Sequence, residues 1–193
     1  MKTVETTLKT TAIYSDDGRK RYILRKEWDR SKPKLCIIML VPSTASGVGL
    51  DSTTLLVLNN STRLGFGGVD ILNLFSVLND YDLQKIEHED CENMKAIVSS
   101  AKECDTIVYA AGVGKAKNEL FQERQKQVMT ALKPYEEKLY CLSNKDGTVR
   151  MTHPLFPAVR TWELSKMEIS EIIPEVIEKS TTMKGQKKRI KNL

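Results

Sequence analysis

The stretch Lys34-Leu35-Cys36-Ile37-Ile38-Met39-Leu40-Val41-Pro42-Ser43-Thr44-Ala45 decides how the rest of the chain is read. Eight residues, 34–41, form a nearly continuous apolar run. A strand covered on both faces reads this way, because neither side of its pleat meets water. Parallel sheets are covered like this, by helices on either face. Pro42 ends the run, since proline cannot donate to a strand ladder. The loop 43–50 follows, and Asp51 or Ser52 stands where an N-cap is needed. The spacing predicts a helix from Thr53 to about Leu64, with Leu55, Leu56 and Leu58 on its buried face. Gly65, Gly67 and Gly68 stop it.

The same alternation continues outward in both directions. Downstream, Val69–Leu72, Thr106–Ala110 and Lys138–Leu142 read as further core strands. Helices are expected over about Glu92–Lys102 and Asn118–Leu132. Residues 74–90 form a long connection, and a short helix over 168–179 is interrupted by Pro174. Upstream, the β-prone runs 8–14 and 20–26 flank Ser15-Asp16-Asp17-Gly18, an Asp-Gly hairpin signal. The expected architecture is α/β: a three-layer α/β/α sandwich with a four-stranded parallel core sheet and an N-terminal β-hairpin on its edge. One domain is expected over residues 1–183, followed by a basic tail, 184–193.

The chain has 193 residues, 40% hydrophobic and 28% charged, ordinary for a globular domain with a substantial core. No apolar run approaches the length of a membrane span, and residues 1–9 lack a signal-peptide core, so a cytoplasmic protein is expected. Lys184, Lys187, Lys188, Arg189 and Lys191 supply the whole net charge of +5, leaving residues 1–183 neutral. Such a tail reads first as a solvated terminus and second as an attractor of phosphates. Cys36, Cys91, Cys104 and Cys141 have no metal-finger spacing, and only His88 and His153 are histidines. Neither a metal nor a cofactor is expected.

In a parallel sheet, ligands bind outside the carboxyl ends of the strands. Pro42, Ser43 and Thr44 follow the first such end, and Asn73-Leu74-Phe75 the second. Gly112-x-Gly114-Lys115 follows the third, where a strand-to-helix turn can hold an anion. It matches neither the phosphate-loop nor the dinucleotide fingerprint. Thr152-His153-Pro154 follows the fourth, and the proline restricts His153 to extended geometry. A neutral imidazole there can donate to a developing anion. An amide such as Asn73 can read the edge of a base, and Phe75 can stack on it. His88 lies among acids and reads as surface. Ser43 with His153 would instead suit a small-molecule hydrolase, although no nucleophile-elbow motif surrounds the serine.

With these residues in view, the sequence resembles domain-of-unknown-function family 1643, a largely uncharacterised bacterial group. The resemblance spans roughly residues 20–158. It rests on Arg21-Tyr22-x-Leu24 with Trp28, Ile38-Met39-Leu40-x-Pro42-Ser43-Thr44-Ala45, Asp51-x-Thr53, Leu64-Gly65-Phe66-Gly67-Gly68, Asn73-Leu74-Phe75, and Gly147 with His153-Pro154-Leu155. Val41 stands where that family usually has Asn, and Ala110-Ala111-Gly112 where it has Ala-Trp-Gly. In order and position, Pro42, Asn73, Gly112 and His153-Pro154 are also similar to the uracil-DNA glycosylase superfamily. That similarity implies a DNA glycosylase-like hydrolase acting on a nucleobase in nucleic acid. In it Asn73 reads the base, Phe75 stacks on it, Pro42, Ser43, Thr44 and Gly112 shape the pocket, and His153 is catalytic. Such enzymes carry a carboxylate or amide just before the motif proline to position water, and here Val41 is apolar. The alternative is a non-catalytic nucleotide or nucleic-acid binding module.

Overall fold

The computed structural model describes residues 1–43, 45, 47–78, 90–112 and 118–173. Thr44, His88, residues 113–117 of the glycine turn and the basic tail lie outside them, as does most of the helix expected over 168–179. Seven strands form one sheet: β1 (Lys9–Tyr14), β2 (Arg21–Glu27), β3 (Lys34–Met39), β4 (Gly68–Asn73), β5 (Thr106–Tyr109), β6 (Leu139–Ser143) and β7 (Glu163–Lys166). Their order is β1-β2-β4-β3-β5-β6-β7. β3 pairs parallel with β4 and β5, and β5 pairs parallel with β6. The hairpin β1–β2 joins antiparallel at β4, and β7 joins antiparallel at β6. β7 was not anticipated. Glu163-Leu164-Ser165-Lys166 is too short and polar to signal a strand, and the partly covered edge it occupies asks for little more.

Three helices pack on the sheet: α1 (Ser52–Arg63), α2 (Cys91–Glu103) and α3 (Glu119–Leu132). α1 belongs to the core under one face, where Val57 and Leu58 meet Leu35, Ile37 and Ile71. α2 and α3 belong to the core under the other, where Ile97, Phe121 and Val128 meet Cys36, Ile38 and Leu72. β3 therefore feeds both cores through alternate residues, as its unbroken apolar run requires.

α1 begins at the expected cap. The Asp51 carboxylate accepts from the Thr54 N–H at 2.6 Å. Its buried face differs from expectation, however. Thr54, Val57, Leu58, Asn60 and Ser61 are buried, while Leu55 is 47% exposed. The reason lies in Asn60. Its side chain donates to the Arg160 carbonyl at 2.9 Å and accepts from the Trp162 N–H at 3.2 Å. Those bonds turn the polar i, i+3, i+4 row inward, which a leucine count does not register. After the helix, Gly67 cannot carry a side chain, because a Cβ would stand 1.8 Å from the Asp29 carbonyl oxygen.

Charged residues are buried along the sheet. Asp70 on β4 is fully buried, bonded by Arg25 at 2.7 Å, Lys34 at 2.9 Å and the Ser100 hydroxyl at 2.9 Å. Arg21 and Lys26 on β2 are buried with a different duty. Arg21 donates to the Ser43 carbonyl at 3.1 Å and to the Ala45 carbonyl, and Lys26 donates to the Gly47 carbonyl. Both cations thus tether the loop that follows β3.

Candidate functional site

The chain leaves β3 toward α1 on one face and leaves β5 toward α3 on the other. Adjacent parallel strands whose continuations diverge open a crevice at their carboxyl ends. A cavity of about 650 Å³ lies there, within the usual range for small-molecule sites. Met39, Leu40, Val41 and Ser43 line it from the end of β3, and Ala111 and Gly112 from the end of β5. Thr53 and Thr54 of α1, Ile71 of β4 and Arg21 of β2 add further wall. Thr152, His153, Leu155 and Phe156 close it from the late loop. Leu155 and Phe156 are 44% and 46% exposed, so the cavity reaches the surface at them.

The approach of the third and fourth strand ends is close. Gly112 has φ +76°, and a Cβ there would lie 3.7 Å from both the Cβ and the backbone nitrogen of His153. Met151, two residues before the histidine, also has positive φ, at 55°. A non-glycine residue held in that region marks a loop whose path the surroundings dictate.

The Nδ1 atom of His153 accepts from the Leu155 N–H at 3.2 Å. The neutral ring must then carry its proton on Nε2. Burial lowers the His153 pKa from its ordinary value, against an opposing pull from Asp51. The ring is accordingly held as a neutral donor. Asp51 itself is pushed up by burial, but hydrogen bonds from Ser43 and Thr54 outweigh this and keep its carboxyl below the usual range. Ser43 also accepts from the Ala45 N–H at 3.3 Å. Among the described residues no hydrogen bond joins Ser43 to His153.

The remaining candidates sit apart from the cavity wall. Pro42 is buried between Val41 and Ser43 in sequence, and it is not among the lining residues. Phe75 is 3% exposed and belongs to the core under α2 and α3. The aromatic ring on the cavity is Phe156, which a reading centred on His153-Pro154 left unremarked. Asn73 is 1% exposed and does not line the cavity. It lies two residues beyond Ile71 and opposite Met39, on the face of the sheet that both of these present to the cavity. Its side-chain oxygen and nitrogen are both buried without partners. The backbone around it is held by Asn93, whose amide donates to the Asn73 and Leu74 carbonyls at 3.1 and 3.0 Å. Arg124 donates to the Leu74 carbonyl at 2.8 Å.

Arg21 is a second cavity residue that sequence reasoning missed, after Phe156. It stood in a hairpin strand alternating with apolar residues, where an arginine reads as solvent-facing. Only its place at the head of the Arg21-Tyr22-x-Leu24 pattern that carries the family resemblance set it apart.

The model of family DUF1643, proteins of unknown function, matches residues 21–155. The chain belongs to that family. The DUF1643 match begins at Arg21 and ends at Leu155, both of which line the cavity. No curated protein matches the sequence. Among solved structures, glutaminyl cyclase of Porphyromonas gingivalis is similar at 13% identity with a TM-score of 0.25. The alignment covers 70% of this DUF1643 chain and 58% of that one, so this chain spans less than two thirds of the cyclase's length. A TM-score of that size carries no argument about fold or activity. No helix among the described residues is long and apolar enough to cross a membrane. Among those residues no cluster of three or more His, Cys, Asp or Glu side chains stands ready to hold a metal.

Proposed function

We propose that the cavity binds a nucleobase and that His153 stabilises the negative charge the base acquires when its N-glycosidic bond breaks. The observation that carries this reading is the His153–Leu155 hydrogen bond. It sets the imidazole as a neutral Nε2–H donor, in a largely apolar cavity where such a donor is worth more than in water. Phe156 and Leu155 offer the flat apolar contact a base requires, the part first assigned to Phe75. Asn73, with its unpartnered amide, would read the base edge after a small shift of the surrounding wall. The glycosylase-like, three-layer reading of the fold belongs with this proposal. It is supported by the order in which Pro42, Asn73, Gly112 and His153 follow successive strands.

One observation favours a second reading, a binding module without turnover. Val41 lines the cavity just before Pro42, where a group positioning water would be needed, and it offers no polar atom. A base-release assay on uracil-containing and alkylated oligonucleotides, alongside titration with free bases, separates the two. Release that falls at least a hundredfold in His153→Ala supports the enzyme. Binding without release supports the module, and neither binding nor release removes both.

A further inference from the structure

Arg21 is only 2% exposed, lines the cavity, and has a buried Nε without a hydrogen-bond partner. Among the described residues no carboxylate lies within ion-pair distance of it, and Asp51 and the Tyr14 phenol act on it more weakly. Five residues along β2, Lys26 is 1% exposed and likewise without an acidic partner among them. Among the described residues its ammonium bonds the Thr10 hydroxyl, at 3.0 Å, and the Gly47 carbonyl. Two buried cations without counter-ions are costly, because carbonyl dipoles replace water only in part. The contrast with Asp70, which has two cations and a hydroxyl around one carboxylate, shows how the same sheet treats a charge it intends to neutralise.

A second buried polar atom without a partner belongs to a residue of the same wall. Thr152 lines the cavity, is 8% exposed, and its Oγ1 is buried without a partner. A hydroxyl can donate to an oxyanion, and a guanidinium is the side chain best matched to one. We propose that the cavity takes a small ligand bearing an oxyanion, a phosphate or a carboxylate, held by Arg21 and Thr152. The inference builds on the reading of this cavity as a binding site and adds the ligand's charge. It does not require the ligand to carry a base.

The test is calorimetric titration of the full chain with inorganic phosphate and, separately, with acetate. Sodium chloride at equal ionic strength is the reference. Thr152→Val is the decisive variant, since it keeps the shape and removes only the hydroxyl. A hydroxyl serving a ligand alone leaves the melting temperature of the unliganded protein unchanged or raised, while affinity for the bound anion falls about tenfold. Arg21→Lys lowers it by a similar factor, because an ammonium cannot reproduce the guanidinium fork. Should Arg21→Lys fail to fold, Thr152→Val decides alone. Binding of either anion with loss in Thr152→Val supports the site and names the favoured group. Neither anion binding, or binding indifferent to Thr152→Val, overturns it, as does a drop in melting temperature that reveals a structural hydroxyl. A protein that binds phosphate but no base overturns the preceding proposal and leaves this one. A protein that releases bases but ignores both anions does the reverse.

Discussion

The Leu155 N–H donates to Nδ1 of His153, two residues earlier, so the loop itself chooses the tautomer of its only histidine. Pro154 between them disfavours a helical backbone at the histidine, and the bond fixes the ring.

Protonation must break that arrangement, and burial already disfavours it. The unfolded chain therefore takes up the proton first as pH falls through the ordinary value of 6.5. The stability gained from a neutral His153 is complete above 6.5 and is lost below it, until the folded-state pKa is passed. Melting temperatures measured between pH 7.5 and 5 should fall in the wild type and stay flatter in His153→Gln. An equal slope in both proteins would show that the ring does not titrate as described.

Two phenylalanines separate the core from the cavity. Phe75→Ala should cost roughly 3–5 kcal/mol in urea denaturation, as for a buried aromatic ring. Phe156→Ala should change stability by no more than about 0.5 kcal/mol, because the residue is already 46% exposed. It should weaken binding of free bases by about tenfold, the scale of one stacking contact. Titration calorimetry on both variants checks the assignment.

Gly112→Ala has room for its methyl group but not the backbone angle. The positive φ costs an alanine about 1–2 kcal/mol. The expected relief is a shift of the turn against His153. Stability should drop by that amount and base or anion binding should drop further than in Gly147→Ala, whose φ of +73° lies away from the cavity. Chemical denaturation and titration of the pair test this.

Asp70→Asn should cost about 3 kcal/mol, the lower end for a broken buried ion pair, since Arg25 and Lys34 keep partial contact with water. Burial pushes the Asp70 carboxyl up, yet the bonds from Arg25 and Lys34 prevail and hold it below 3.8. Its stabilisation is thus present above pH 3.8 and fades as pH falls through the lower folded value. Acid titration of urea midpoints should show this loss in the wild type and not in Asp70→Asn.

The elements that carried strong periodicity were legible. The run at 34–41, the Asp-Gly hairpin, and the cap Asp51 followed from residue type and spacing. Asn118, read as the first residue of its helix, is instead its cap and accepts from the Phe121 N–H at 2.9 Å. The meeting of Ser43, Gly112 and His153 on one cavity followed from strand-end logic alone. What escaped was set by contacts distant in sequence. Asn60 rotates α1 through bonds to residues 100 and 102 positions away, and β7 exists because β6 offers it an edge. Arg21 reaches the cavity only because β2 lies beside β4. No local pattern encodes such neighbours.

That adjacency gives the hairpin a second role. Strand β2 suspends the span from Ser43 to Gly47 by two cationic hooks, and one of those hooks also forms part of the chamber wall. Trimming the chain to begin at Pro33 would remove more than an outer ribbon: the flap beyond Met39 would come unmoored and the chamber would lose the one arginine among its described lining residues.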